Sequence, residues 1–219
     1  MSANIVTAIY IAASVLFILS LGGLSNQESA KRAVWYGIVG MALAVGATVL
    51  GPQVVISNLL ILMIVIGSVI GIVVARRVEM TGMPQLVAAL HTFVGLAAVF
   101  IGINSDLAPP EGLIGAEKII HEVEIFLGVF IGAVTTTGSI VAFGKLSGIV
   151  DGKPLTLPGR NILNLVAVLA CVWLGVMYLN HAGPWTLYLM TAIALVFGAH
   201  LVLAIGGADM PVVVSMLNS

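Results

Sequence analysis

The sequence from residue 53 to residue 75 reads QVVISNLLILMIVIGSVIGIVVA, and Arg76 and Arg77 follow it directly. The run contains no charged residue, and it is long enough for a bilayer-crossing helix, which needs roughly 20 apolar residues. A membrane β-strand would be shorter and would alternate apolar with polar residues, and this run does not alternate. Because a spanning segment must satisfy its own backbone hydrogen bonds in lipid, the run predicts a transmembrane helix.

The composition of the whole chain extends this prediction to the rest of the protein. The chain has 219 residues, of which 60% are hydrophobic and 8% are charged, whereas soluble domains carry about 25% charged residues. So few charges cannot cover a water-facing surface, and most of the surface must therefore face lipid. The net charge of −1 suggests no nucleic-acid partner, and the single cysteine, Cys171, excludes an intrachain disulfide.

Further apolar segments of spanning length make up most of the remaining sequence. We predict an all-α integral membrane protein, a polytopic transmembrane helix bundle that forms a single domain over residues 1–219. The predicted helices cover about residues 5–24, 33–51, 53–75, 84–103, 119–143, 161–180 and 184–205, and the truncated start of an eighth covers 210–219. We expect the first to stay as a helix rather than act as a signal peptide, because no Lys or Arg precedes it and it is too long for a typical h-region.

The distribution of Lys and Arg predicts the orientation of these helices. Basic residues mark the cytoplasmic ends of membrane helices, and here they concentrate in the first, third and fifth connections, which hold Lys31, Arg32, Arg76, Arg77, Lys145, Lys153 and Arg160. The second and sixth connections hold none, and the fourth holds Lys118 beside acidic residues. We therefore predict that the N-terminus lies outside and that the odd-numbered connections lie inside.

Glycine is abundant, and three G-x-x-x-G pairs are candidates for close helix contact. The pairs are Gly67/Gly71, Gly128/Gly132 and Gly144/Gly148. No glycine-rich phosphate loop follows a strand, so we expect the chain to bind no nucleotide cofactor by itself. No metal site is predicted either, because His121 and Glu124 offer two ligands without a third.

Ionisable residues at membrane depth are costly to bury and are therefore the first candidates for function. His91 lies seven residues after Pro84, roughly 10 Å along the fourth helix at about 1.5 Å per residue. It shares one helix face with the small residues Ala88, Gly95 and Gly102, which should pack on other helices and bury the imidazole. Such a histidine can take up and release protons near neutral pH. A neutral histidine bonded to a neighbouring helix is the alternative.

Asn218 occupies the same position in the predicted eighth helix as His91 occupies in the predicted fourth helix. It lies seven residues after Pro211, and both helices begin with Met-Pro on the predicted cytoplasmic side, with the proline in the first turn, where it is tolerated. Two polar groups at one depth could share a water or a proton, and Asn218 would then orient the water or the histidine. A simple interhelical hydrogen bond is the alternative.

Two acidic residues complete the candidate proton-translocating set. Glu124 shares a predicted face with His121, Gly128 and Gly132, whereas Glu122 should face elsewhere. Glu124 is therefore expected to point into the packed face and to form the outer proton mouth. An interfacial carboxylate in contact with water is the alternative. Asp209 precedes the eighth helix, where an Asp accepts backbone N–H bonds, and a functional role is equally open.

Further polar residues of the spans include a histidine and three consecutive threonines. His200 is expected to be structural, and Thr135, Thr136 and Thr137 either bond back to their own helix or line a path.

Three long stretches of the sequence carry a family resemblance. They are VEMTGMP at 78–84 running on to LHTFVGLAA at 90–98, HEVEIFLGVFIGA at 121–133, and MTAIALVFG at 190–198 continuing through IGGADMPVVVSMLNS at 205–219. These stretches resemble the membrane portion of the β subunit of proton-translocating NAD(P) transhydrogenase. The resemblance covers most of the chain from about residue 70 onward.

The resemblance implies an activity and its partners. It implies hydride transfer from NADH to NADP⁺ (AB-type, Si-specific), driven by inward proton movement, in a homodimeric enzyme of the bacterial inner membrane. NADP(H) then binds a domain that follows the membrane part of the β subunit, and NAD(H) binds on the α subunit. The family's intramembrane histidine corresponds to His91 and its essential asparagine to Asn218, while its sensitive acidic positions correspond to Glu124 and Asp209.

The resemblance also leaves a second function open. The sequence ends at Ser219, within the predicted eighth helix, so we expect it to lack the NADP(H) domain and the hydride-handling residues and not to catalyse alone. A membrane subunit of a proton-coupled secondary transporter or channel is the alternative function, and a structural membrane scaffold is a third.

Overall fold

The computed structural model describes residues 1–24, 28–52, 54–110, 112–155 and 157–217, with the backbone alone at residue 80 and residues 214–217. Its helices are α1 (Ala3–Leu24), α2 (Ala30–Val49), α3 (Asn58–Arg77), α4 (Met83–Leu107), α5 (Ala116–Leu146), α6 (Arg160–Leu179), α7 (Trp185–Leu203) and α8 (Met210–Leu217). No strand occurs among the described residues, and α1 to α7 are long and apolar enough to cross a membrane. The predicted all-α, polytopic membrane fold is confirmed.

The bounds of α3 and α5 differ from those of the apolar segments that predict these helices. α3 begins at Asn58 rather than near residue 53, because the Ser57 hydroxyl accepts the Leu60 N–H at 3.1 Å and so caps the first turn. α5 has 31 residues, about 46 Å at about 1.5 Å per residue, and therefore extends past the roughly 30 Å hydrocarbon core at one end or both.

The chain separates into two compact units, Met1–Arg77 and Val78–Ser219. In the first unit, α1 and α2 form an antiparallel pair. The Ser20 hydroxyl donates to the Ala33 carbonyl at 2.7 Å, and the Tyr10 and Thr48 hydroxyls lie 2.8 Å apart. No residue of α3, all of which is described, is buried.

In the second unit, α5 is the central helix and contacts α4, α6, α7 and α8. The α4 and α5 backbones approach closely at Gly95, where a Cβ atom would lie 2.7 Å from the Gly132 carbonyl oxygen and from the Thr136 amide nitrogen. α7 approaches α5 in the same way at Gly198, which lies against Val134. Backbone contacts this close leave no room for a methyl group, so glycine at these positions sets the spacing of the bundle.

The predicted G-x-x-x-G pairs do not act as pairs. Among the described residues, a Cβ atom at Gly67, Gly71 or Gly128 would meet nothing within 4 Å, whereas one at Gly132 would lie 2.8 Å from the Gly95 carbonyl oxygen. The expectation of paired contacts is therefore wrong for these positions within the chain. Close approach between α4 and α5 uses one glycine from each helix.

The second unit holds two apolar cores at different levels. The larger one joins α4, α5, α6 and α7 and comprises Val99, Ile125, Phe126, Val129, Ala133, Cys171, Leu174, Tyr178, Leu187, Met190 and Ala194. The smaller one lies where α8 begins and comprises Ala88, Ala142, Val202 and Met210. Polar groups collect beyond each core, at opposite ends of the unit.

Candidate functional site

His91 lies on the packed face of α4, as the spacing of small residues predicts. Ala88, Gly95 and Gly102 on this face are buried against α5, and the His91 side chain is half-buried. The Nδ1 atom of His91 lies 3.0 Å from the Val87 carbonyl oxygen. A carbonyl can only accept a hydrogen bond, so Nδ1 carries the hydrogen of this bond.

α8 starts beside the helix that carries His91. It contacts both α4 and α5, and Met210, its first residue, is fully buried in the smaller core. This arrangement agrees with the prediction that α4 and α8 enter from the same side. Asn218, the predicted partner of His91, lies outside the described residues.

Asp209 ends the 3₁₀ turn Gly207–Asp209 directly before α8, and its side chain is exposed. Its backbone N–H donates to the Gly206 carbonyl at 3.1 Å. Within the described part of the chain its carboxylate makes no hydrogen bond, so the predicted cap of the eighth helix is not seen there. The carboxylate instead stands at the surface of the turn that leads into α8.

Lys145 is a polar residue of this end whose role the sequence pattern does not predict beyond marking the fifth connection as basic. It lies in the last turn of α5 and is buried, with 6% of the residue exposed. Its Nζ donates to the carbonyl oxygens of Leu203 at 2.7 Å and Ile205 at 2.6 Å. The last carbonyls of a helix have no intrahelical partner, and the ammonium of Lys145 satisfies them at the end of α7.

Backbone bonds join the same junction to the α5–α6 connection. The Leu155 N–H donates to the Leu203 carbonyl at 2.9 Å, and the Gly207 N–H donates to the Gly152 carbonyl at 2.8 Å. Lys145 therefore sits where α5, the α5–α6 connection and the α7–α8 turn meet. Its partners are carbonyl groups distant in sequence, which no local pattern in the sequence identifies.

The placement of the two glutamates at the other end of α5 corrects the sequence prediction. Glu124 is exposed on the chain, whereas the Glu122 side chain is 16% exposed. The predicted face assumed that Gly128 packs against a neighbour, but α5 packs through Ile125, Val129 and Gly132 instead. This register turns Glu124 outward and Glu122 toward the bundle.

Glu122 belongs to a group of titratable residues around a cavity of about 620 Å³. A carboxylate oxygen of Glu122 lies 3.7 Å from Lys118 Nζ and 3.8 Å from His181 Nδ1. The Tyr178 hydroxyl donates to Asp106 at 2.6 Å. The titratable residues that line the cavity are Asp106, Lys118, His121, Glu122, Tyr178 and His181.

Among the described residues, two histidine nitrogens are buried without a hydrogen-bond partner, Nε2 of His121 and Nε2 of His200. His121 lines the cavity. His200 Nδ1 lies 2.8 Å from Asn164 Oδ1, an α6–α7 bond that fits the structural role expected for this residue.

Two of the three candidate threonines of α5 bond back to their own helix, and the alternative that the threonines line a path stays a prediction. Thr136 donates to the Gly132 carbonyl at 2.7 Å, and Thr137 donates to the Ala133 carbonyl at 3.3 Å. Both therefore bond back to their own helix.

In the described residues, no group of three or more His, Cys, Asp or Glu side chains is placed to hold a metal ion.

Comparison with known proteins gives a consistent result along the chain. The family described as NAD(P) transhydrogenase beta subunit matches residues 6–219. Two curated proteins from Rhodospirillum rubrum, one of them from a named strain, are both called NAD(P) transhydrogenase subunit beta and are each 45% identical over 222 aligned residues. The match covers 100% of this chain and 48% of each relative, so the chain spans about half the length of these relatives.

Proposed function

Because this chain belongs to the NAD(P) transhydrogenase β-subunit family, we propose that it is the proton-conducting membrane part of a proton-translocating transhydrogenase. It is a multi-pass membrane protein with seven helices of spanning length in its described part. In the complete enzyme, inward movement of protons drives hydride transfer from NADH to NADP⁺. The nucleotides bind domains outside the membrane, and the enzyme works as a homodimer with its α subunit in a bacterial inner membrane.

His91 is the residue that exchanges the proton. The observation that supports this role is a half-buried imidazole on the packed face of an apolar helix, with Nδ1 held by Val87. The bond at Nδ1 orients the ring and leaves Nε2 as the site of protonation. Asn218 orients the water or the histidine at this level of the membrane.

The acidic residues act at the two surfaces. Asp209 stands in the turn before α8 and passes the state of the membrane part to the domain that follows. Glu124 is exposed on this chain, and we assign it to contact with helices contributed by the rest of the enzyme at the outer end. The proton-motive force supplies the energy, because about 200 mV corresponds to roughly 4.6 kcal/mol per proton.

Proton pumping by the complete enzyme in sealed vesicles tests the proposal. We expect His91→Ala to abolish pumping and to slow forward hydride transfer, because no group then exchanges the proton at this depth. His200→Asn is the matched control, since His200 bonds to Asn164 on the same bundle, and it should retain the normal ratio of protons to hydrides. A His91→Ala enzyme that pumps at the normal ratio would remove His91 from the path.

A further inference from the structure

The cavity at the outer end of the second unit concentrates titratable groups from several elements. Asp106 comes from α4, Lys118, His121 and Glu122 come from α5, Tyr178 comes from α6, and His181 comes from the α6–α7 connection. In a chain with only 8% charged residues, six titratable side chains around one cavity of about 620 Å³ are not explained by packing. The cavity also lies on the side that the charge distribution predicts to be outside.

His121 gives the cavity a group that lacks a protein partner. Its Nε2 is buried and has no hydrogen bond within the described ranges, and the residue lines the cavity. Leaving a buried polar atom without a partner costs about 1–3 kcal/mol. Because Nε2 is buried, a water molecule or a hydronium ion in the cavity removes this cost only when the His121 ring turns and brings Nε2 to the cavity surface.

Glu122 gives the cavity a partly shielded carboxylate. It is only 16% exposed, and its oxygen faces both Lys118 and His181 at 3.7 and 3.8 Å. The carboxylate and its two basic neighbours thus place three polar groups at the cavity surface, and His121 is the adjacent residue in the sequence.

An apolar layer closes the cavity toward the centre of the membrane. Ile125 and Tyr178 line the cavity and also belong to the larger core, which continues with Val129 and Leu187. Asp106 and His91 are 15 positions apart on α4, about 22 Å at about 1.5 Å per residue. The larger core therefore separates the cavity from the level of His91, and apolar constrictions of this kind act as gates.

We propose that this cavity is the proton-accepting vestibule of the outer side, with His121 and Glu122 as its acceptors. The inference rests on the proposed function, because it presumes that protons cross this membrane part. In the transfer step, a hydronium ion gives its proton to the Nε2 lone pair of neutral His121, an N–H bond forms, and water is left. The same proton can pass to the Glu122 carboxylate, which restores neutral His121.

The test uses the complete enzyme in sealed vesicles, with wild type, Glu122→Gln and His121→Asn, and with the pH varied on the outer side alone. We expect either substitution to slow proton-driven turnover by about a hundredfold, the lower end of what a positioned proton-transfer group contributes. The dependence of the rate on outer pH should also flatten. Glu122→Asp should restore part of the rate. Glu117→Gln, an exposed carboxylate one turn away that does not line the cavity, should behave as wild type.

A second variant keeps the test independent of folding. Ser105 lines the cavity, and a Ser105→Cys enzyme without other accessible cysteines should pump until an outside, membrane-impermeant thiol reagent blocks it. If wild type does not pump, the proposed function fails and the vestibule fails with it. If wild type pumps and the cavity variants keep its rate and pH profile, or labelled Ser105→Cys still pumps, the vestibule alone is wrong.

Discussion

At the scale of single residues, the hydrogen bond of His91 decides which of its ring nitrogens can exchange a proton. Nδ1 is held by the Val87 carbonyl one turn earlier in α4, so in the proposed proton exchange Nε2 is the nitrogen that reacts. A membrane histidine can influence hydride transfer only if its two protonation states favour different nucleotide affinities. This coupling can be measured as a binding free energy.

A fixed charge at residue 91 should therefore change nucleotide affinity at a distance. In the complete enzyme, we expect His91→Lys to alter the NADP(H) dissociation constant by about 5- to 150-fold, the usual range of coupling between sites. A buried lysine can lose its proton, so the difference should be larger at about pH 6 than at about pH 8. The measurement is NADP(H) binding by calorimetry, with the neutral His91→Gln as control. Equal affinities in His91→Lys, His91→Gln and wild type would contradict the coupling.

Only part of the candidate site could be predicted from the sequence. The packed face of α4 was predictable, because Ala88, Gly95 and Gly102 recur at helical spacing and small residues favour contact in lipid. The orientation of Glu124 was not predictable, because it depends on which glycine of α5 contacts α4. Gly132 meets Gly95 while Gly128 meets nothing described within 4 Å, and that choice is made by the surface of the neighbouring helix.

At the scale of elements, the Gly95–Gly132 crossing fixes α4 against α5. A methyl group at Gly95 would meet backbone atoms of Gly132 and Thr136 at 2.7 Å, and backbone atoms cannot move aside as a flexible side chain can. We expect Gly95→Ala to lower the free energy of unfolding by about 1–3 kcal/mol. Thermal unfolding in detergent measures this change. Gly128→Ala, into open space on the same chain, should be neutral, and equal losses in the two variants would refute the close contact.

Lys145 joins three elements through carbonyl groups, so its removal should loosen the turn into α8. In Lys145→Met the Ile205 carbonyl loses the Lys145 ammonium and the Leu203 carbonyl keeps only the Leu155 N–H, and a buried group left without a donor costs about 1–3 kcal/mol. Hydrogen exchange should then speed up in the Gly207–Asp209 turn. Lys153→Met is the control, because the Lys153 side chain is exposed. Unchanged exchange in Lys145→Met would show that the backbone bonds hold the junction without the ammonium.

At the scale of the whole molecule, hydrophobicity alone was enough to predict the number and type of the spans. Lipid leaves a spanning backbone no choice but to satisfy its own hydrogen bonds, and each of the seven long apolar runs accordingly forms a helix. Contacts that join distant parts of the chain were not predictable. The Lys145 ammonium donates to the carbonyl oxygens of Leu203 and Ile205, and the Tyr178 hydroxyl donates to Asp106. No periodic pattern in the sequence predicts either pairing.

The orientation of the molecule in the membrane stays a prediction, and labelling can test it. Basic residues in the first, third and fifth connections place those connections inside. In sealed cells, an impermeant thiol reagent should therefore label Ala108→Cys, an exposed residue of the fourth connection. It should label Glu28→Cys, an exposed residue of the first connection, only after the membrane is opened.

Replacing Glu28 removes no positive charge, so the substitution should leave the orientation itself unchanged, since acidic residues contribute little to it. The native Cys171 is buried and provides an unlabelled background. If Glu28→Cys is labelled from outside and Ala108→Cys is not, the orientation is inverted. The cavity around His121 and Glu122 would then open to the cytoplasm, and protons moving inward would leave through it rather than collect in it.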